Sequence, residues 1–316
     1  MPPPLNLQNV IAFIWDFDKT LTPAYMQQPL FDHYGVDGET FWREVNSLPD
    51  FYNEFDLKVS KDTAYLEHTL QYVLDGRFAG LTNQLLQTLG AKVDLNPGMP
   101  EFIPHTKAFV ANNARYKGHG ITVEHYVVST GFRKMIEGNQ IREYLDGVYA
   151  CELLPSAAAA CGDKTTFDPN GVLSQIGYTI DNTTKTRAVF EINKGVNRLQ
   201  GVDVNSLIPD EDRRVPFTNM VYVADGPSDI PVFSVVRKNG GQTLAVHTES
   251  EKSYDAVQIL LETGRVHHTA GADYRQGTDA YRWLMRALTK IADKISEQRE
   301  QSIASLVPPP GHITTK

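Results

Sequence analysis

Five short, mostly apolar runs constrain this chain more than any other feature: residues 10–15, 124–128, 147–151, 220–224 and 243–246, each followed by polar or glycine-rich residues. Runs of this length without alternation suit strands buried on both faces, which is the condition of a parallel sheet. Helical patterns separate the last three, at 186–196 and 230–237. Strand–helix alternation predicts an α/β fold with a doubly wound, Rossmann-like parallel sheet, in which ligands bind beyond the carboxyl ends of the strands.

Two stretches break the alternation. From about 26 to 94 no strand pattern is present. Leu66, Leu70, Val73 and Leu74 fall at helical spacing, with Ser60 placed to cap the helix start, Asp62 in its first turn and Gly76 at its stop. Residues 81–90 read as a further helix, and Leu-Asn-Pro-Gly-Met-Pro at 95–100 marks the return. The expectation is an all-helical cap domain over 23–96, inserted after the first strand of a core domain formed by 1–22 and 97–316. A smaller interruption over about 152–180 carries Asp-Pro-Asn-Gly at 168–171, a turn signal between β-like runs, and predicts a small β-hairpin flap. Residues 279–300 form an amphipathic pattern expected to pack on the core.

Composition narrows the function. The 316 residues suffice for two domains, and a net charge of −8 with no basic run or basic–aromatic stripe argues against nucleic acid as a partner. No apolar stretch reaches transmembrane length, and Met-Pro-Pro-Pro-Leu-Asn-Leu-Gln-Asn lacks the basic start and apolar core of a secretion signal. Two cysteines, Cys151 and Cys161, make no disulfide framework. A cytoplasmic protein with reduced thiols and no membrane partner is expected.

The first run ends in Asp16 and Asp18, with only Phe17 between them. In extended chain their side chains point the same way. Two carboxylates about 4 Å apart repel by roughly 4 kcal/mol at an effective dielectric near 20. A bound cation or a retained proton relieves that repulsion; the alternative is an ordinary acidic turn, with Asp18 and Thr20 satisfying backbone groups. Three further groups stand at element ends. Ser129 and Thr130, before Gly131, offer anion contacts at a turn. Lys185 stands at the start of a helical pattern, where a cation is mildly unfavourable unless an anion is near; otherwise it is a solvated surface lysine. Asp225 and Asp229 follow the fourth run around Gly226 and Pro227, and suit either a hard cation such as Mg²⁺ or, for Asp229, a helix cap.

Taken together and in this order, Asp-Phe-Asp-Lys-Thr-Leu-Thr (16–22), Val-Val-Ser-Thr-Gly (127–131), Lys185 and Ala-Asp-Gly-Pro-Ser-Asp (224–229) resemble the four motifs of haloacid dehalogenase (HAD) superfamily phosphatases. The helical insertion and small hairpin look most like the phosphoserine phosphatase-like branch. The resemblance implies that Asp16 is the nucleophile forming an aspartyl-phosphate, and that Asp18 protonates the leaving oxygen and then deprotonates the attacking water. It implies a Mg²⁺ ion held by Asp16, the backbone carbonyl of Asp18 and Asp225. Ser129 and the Thr130 N–H would bind the phosphoryl oxygens, Lys185 would neutralise charge, and Thr20 and Asp229 would support the site. Lys194 is the rival to Lys185. Thr130 and Ala224 stand where that branch commonly has glycine. The implied substrate is a small phosphorylated metabolite, with Arg43, Lys58, Lys61 and Arg77 as candidates for reading it. A phosphomutase or phosphotransferase on the same fold, or a non-catalytic phosphate-binding or receiver-like protein, are the alternatives.

Overall fold

The computed structural model describes residues 7–155 and 167–306. Its elements, in chain order, are β1 (Val10–Trp15), α1 (Gln28–Tyr34), α2 (Gly38–Asn53), α3 (Ala64–Leu74), α4 (Asn83–Gly90), α5 (Phe102–Asn112), α6 (Ala114–Gly118), β2 (Thr122–Phe132), α7 (Arg133–Gly138), β3 (Gly147–Pro155), β4 (Leu173–Tyr178), α8 (Thr184–Lys194), β5 (Met220–Ala224), α9 (Ile230–Lys238), β6 (Gln242–His247), α10 (Glu251–Glu262), β7 (His268–Gly271) and α11 (Asp279–Leu306).

The strands form one seven-stranded sheet in the order β4-β3-β2-β1-β5-β6-β7. Every pairing is parallel except β3 with β4. This is the expected α/β Rossmann-like sheet. The order reverses direction at β1, which lies between β2 and β5, so the end of β1 is the topological switch point where such sheets bind ligands. All six β1 residues are buried. Ile11, Phe13 and Trp15 face one core layer, which includes α5 and α11 residues such as Phe102 and Leu284. Val10, Ala12 and Ile14 face the other, with Val189, Val232 and Leu260 of α8, α9 and α10. A strand that is apolar on both faces has no solvent side to mark with polar residues, hence the unbroken run.

The insertion leaves and re-enters the sheet at one place. Asn96 N donates to Leu21 O at 2.8 Å, and the Asn96 carboxamide donates to Thr20 O at 2.8 Å and Thr22 O at 3.1 Å. Between these joined ends lie α1 to α4 and no strand. α4 packs on α7: a Cβ on Gly90 would lie 2.0 Å from Met135 O, and one on Gly138 would lie 1.8 Å from Gln87 O, so both positions need glycine for the two backbones to approach.

Several local expectations need correction. α3 begins at Ala64 with Thr63 at its N-cap, and Ser60 contributes only its carbonyl, which accepts from Ala64 N. Its buried face is Tyr65, Leu66, Thr69 and Tyr72, whereas Leu74 is 76% exposed. The aromatic rings outcompete the leucines because the interior of the insertion is built on ring contacts, Phe41 with Tyr72 at 5.2 Å and Tyr72 with Phe78 at 5.1 Å. α1 and α2 fall within the expected helical insertion, where the sequence marked no separate helix, and α5, α6, α7, α10 and β7 occupy sequence that lacked an expected element.

The hairpin is present as antiparallel β3 and β4, and Asp168 closes the turn through Gly171 N to its carbonyl and Asn170 N to its carboxylate. Cys161 lies outside the described residues; Cys151 is a buried free thiol. Both Pro-Pro-Pro tails also lie outside them. α11 packs Leu284, Leu288, Ile291 and Ile295 inward, as its pattern requires. Among the described residues no helix is long and apolar enough to cross a membrane.

Candidate active site

β1 delivers Asp16. The strand ends at Trp15, but Asp16 N continues the ladder to Val223 O at 2.9 Å, so its carboxylate emerges at the junction of β1 and β5. The backbone then turns sharply, with the amides of Thr20, Leu21 and Thr22 all donating to Phe17 O. Asp18 therefore sits on a turn rather than on continued strand. Its Oδ1 accepts from Met26 N at 2.9 Å, which ties it to the start of the insertion.

The lysine reaches Asp16 from a different element. Lys185 is in the first turn of α8 and is 1% exposed, so the surface alternative is excluded. Its Nζ donates to Asp16 Oδ1 at 2.8 Å and to Asp229 Oδ1 at 2.7 Å. Burial opposes its charge, yet Asp16 and Asp229 hold its pKa above the ordinary lysine value. Lys194 is excluded as a rival, because its ammonium is spent on the carbonyls of Val204 and Ser206 at the far end of α8.

Asp229 stands at the N-cap position of α9, but its side chain makes no capping hydrogen bond. Its Oδ1 also accepts from the Tyr222 hydroxyl, and its Oδ2 from Ser228 Oγ at 2.7 Å. Held by three partners, Lys185, Tyr222 and Ser228, the buried Asp229 carboxylate positions Lys185. Tyr222 escaped sequence reasoning; the available signal was a phenol in a fully buried strand, which needs a hydrogen-bond partner.

Asp225 completes the cluster at the end of β5. Asp16, Asp225 and Asp229 each offer a carboxylate oxygen, and these lie within 4.8 Å of one another. Burial, with Asp16 and Asp229 adding to it, pushes the Asp225 carboxyl up to about 7. Burial pushes Asp16 up to about 6 against the pull of Lys185. For Asp18, burial and then the Asp16 charge push the value up to about 8. Among the described residues nothing donates a hydrogen bond to Asp225, and the donor set is all oxygen with one lysine against three carboxylates. That is the chemistry of a hard divalent cation site, so the residues present fit a metal.

The second strand supplies the other wall. Ser129 is buried, and its Oγ accepts from Gly131 N at 3.0 Å. Thr130 is half-buried, and its carbonyl accepts from the Tyr65 hydroxyl of α3 and from Cys151 Sγ at 3.2 Å. Thr20 is buried with its Oγ1 unpartnered, while its carbonyl is held by Asn96 and by the Tyr274 hydroxyl.

Asp18, Thr130 and Gly131 open into a cavity of about 280 Å³ whose remaining wall comes from the insertion: Tyr25, Gln27, Trp42, Val45, Asn46, Lys61, Asp62 and Tyr65. Of the four basic candidates for reading the substrate, Lys61 lines this cavity. Arg43 lines a neighbouring groove that shares Tyr25, Trp42 and Asn46 with this cavity. Arg77 lies over the Tyr72 ring and 3.6 Å from Glu44, and Lys58 is exposed without lining the cavity. The aromatic and carboxamide wall carried no sequence signal, because nothing in the local pattern says which face of a helix a fold will turn toward a site.

No family model matches the chain. A relative from Borreliella burgdorferi, described as an uncharacterized protein, is 37% identical over 287 residues, covering 89% of this chain and 97% of the relative. A solved HAD family hydrolase from Salmonella enterica serovar Typhi superposes with a TM-score of 0.52 at 13% identity, over 86% of this chain and 70% of that one. A phosphoserine phosphatase solved as a phospho-aspartyl intermediate analogue superposes at 0.49 and 17% identity, over 88% and 99%.

Proposed function

This chain belongs to one family with the Borreliella relative and has the fold of HAD family hydrolases, and on that premise we propose that it is a Mg²⁺-dependent phosphatase of small phosphomonoesters that works through an aspartyl-phosphate on Asp16. The observation that carries this is the charge arrangement at the end of β1. One buried carboxylate, Asp16, is held ionised by Lys185, while its neighbour Asp18 has its pKa raised to about 8 and keeps its proton at neutral pH. A nucleophile and an acid drawn from two identical side chains, separated only by environment, is the pattern acid–base catalysis needs.

Asp16 and Asp225, with the Asp18 carbonyl, would hold the ion, and Asp229 would orient its surroundings. Bound there, a divalent cation supplies charge neutralisation for the phosphoryl oxygens. The Asp16 carboxylate attacks phosphorus; the bond from phosphorus to the leaving oxygen breaks, and that oxygen takes the Asp18 proton. Water then attacks phosphorus, gives its proton to the Asp18 carboxylate, and inorganic phosphate leaves with Asp16 regenerated. Lys185, held by Asp229, which Tyr222 holds in turn, offsets negative charge on Asp16 and on the transferring group in a buried site. Ser129 and Thr130 bind phosphoryl oxygens from the β2 side.

The cavity volume supports a small metabolite over a folded phosphoprotein. Residues 23–96 act as a lid over the site: Trp42, Lys61 and Tyr65 line the cavity with Asp18, where they limit water and meet the leaving group. A cytoplasmic setting fits such a substrate. The test is phosphate release from a panel of phosphorylated metabolites with Mg²⁺, wild type against Asp16→Asn. Turnover lost in the variant with the circular dichroism spectrum kept is the expected result; retained turnover overturns the proposal.

A further inference from the structure

The start of the insertion holds a buried polar group that the phosphatase chemistry does not use. Gln27 is 2% exposed, and its Oε1 has no hydrogen-bond partner among the described residues. It occupies the N-cap position of α1, yet its side chain makes no capping hydrogen bond. The backbone there is already satisfied in the helical sense, since Gln27 O accepts from Leu30 N and Phe31 N. A buried acceptor left unpaired is costly, and a partner from outside the chain would remove that cost.

Its position says what that partner is. Gln27 lines the cavity that Asp18 opens into. The preceding residue, Met26, donates its N–H to Asp18 Oδ1 at 2.9 Å, and Met26 Sδ lies 3.2 Å from Phe132 N. Gln27 thus directly follows the residue whose N–H holds Asp18, the proposed acid for the leaving oxygen. The Trp42 and Tyr65 rings, 5.9 Å apart, line the same cavity and can take apolar contacts from a short carbon skeleton. Lys61 and Asp62 also line the cavity, one positive and one negative side chain.

We propose that Gln27 is a specificity-determining residue, whose Oε1 accepts a hydrogen bond from a hydroxyl or amino group carried by the leaving alcohol a few bonds from the phosphate ester. This rests on the phosphatase reading above and names its substrate class: phosphate monoesters of small hydroxy- or amino-alcohols. A site built around such an acceptor rejects an analogue that lacks the donor, because the acceptor then stays buried and unpaired.

The experiment compares 2-hydroxyethyl phosphate, 2-aminoethyl phosphate and propyl phosphate with the full chain and Mg²⁺. For the wild type, kcat/KM for at least one donor-bearing ester exceeds that for propyl phosphate by about tenfold or more. Which of the two leads distinguishes hydroxyl from amine. In Gln27→Met, similar in length but without the acceptor, that ratio falls to near one, and the change is carried by KM. In Gln27→Glu, which keeps an acceptor, the preference for a donor-bearing ester persists. Equal hydrolysis of propyl phosphate by the wild type, or a ratio unmoved in Gln27→Met, overturns the Gln27 assignment while leaving the phosphatase intact. Absence of turnover for all three esters and for the wider metabolite panel overturns both.

Discussion

Lys185 Nζ lies 2.8 Å from Asp16 Oδ1 in the interior of the molecule, although 169 residues separate them in the chain. The pair is buried on both sides and shares its cation with Asp229. Removing the lysine leaves two buried carboxylates facing each other. Lys185→Met is expected to lower kcat by about 10²–10³-fold, the loss typical of one preorganised electrostatic contact. It should also destabilise the metal-free fold by about 3–5 kcal/mol, the cost of breaking a buried ion pair from one side. Urea denaturation and steady-state kinetics on the same sample check both; a variant of wild-type stability and rate would remove Lys185 from the site.

Stability of the metal-free protein should fall as pH rises from about 4 to about 8. The carboxyls of Asp16, Asp225 and Asp18 are raised from the ordinary 3.8 to about 6, 7 and 8. In that window the folded state binds more protons than the unfolded chain, so each added pH unit favours unfolding. Below the unfolded value the penalty is absent, and above the folded values it is complete. Melting temperature against pH in EDTA measures it, and Asp18→Asn should flatten the upper part of the curve. An unchanged slope in that variant contradicts the burial of Asp18 as the cause.

Mg²⁺ should restore stability at the alkaline end and be required for turnover, while Ca²⁺ suppresses it. Calcium tolerates higher coordination and bidentate carboxylates and so can occupy both oxygens of Asp16. Asp225→Asn should weaken Mg²⁺ binding measured by calorimetry. Full activity in EDTA would take the metal out of the mechanism.

Tyr65 of α3 donates its hydroxyl to the Thr130 carbonyl and so fastens the insertion to the β2 wall of the site. Tyr65→Phe should cost about 0.5–1.5 kcal/mol, one hydrogen bond, and raise the protease sensitivity of residues 23–96 ahead of the rest of the chain. Limited proteolysis followed by mass spectrometry reads this. Cleavage spread evenly over the protein would argue against a separately moving lid.

The sheet was legible because buried parallel strands leave an uninterrupted apolar signature, and Val10–Trp15 and Met220–Ala224 were bounded to the residue. β7 was not, because His268 and Thr269 are half-buried at the sheet's edge and break the run. α2 was hidden by its own sequence: it starts at Gly38 and carries Pro49 inside, two residues that ordinarily end helices. At the site, the motif residues Asp16, Asp18, Lys185, Asp225 and Asp229 stand at element ends, where topology gathers them, while β2 runs on through Ser129 and Thr130 to Phe132. The wall opposite is different. Gln27, Trp42 and Tyr65 reach the cavity through tertiary packing of α1 to α3, and charge was a poor guide there, since of Arg43, Lys58, Lys61 and Arg77 the cavity takes Lys61 alone.

The central claim is that phosphate passes through Asp16, and rapid quenching during turnover tests it most directly. Enzyme mixed with Mg²⁺ and a turned-over ester, quenched in acid and digested, should yield the peptide containing Asp16 with a phosphoryl group that is stable to acid and released by hydroxylamine, and Asp16→Asn should yield none. Turnover at the full wild-type rate with Asp16 unlabelled, or with the label on another residue, contradicts the account.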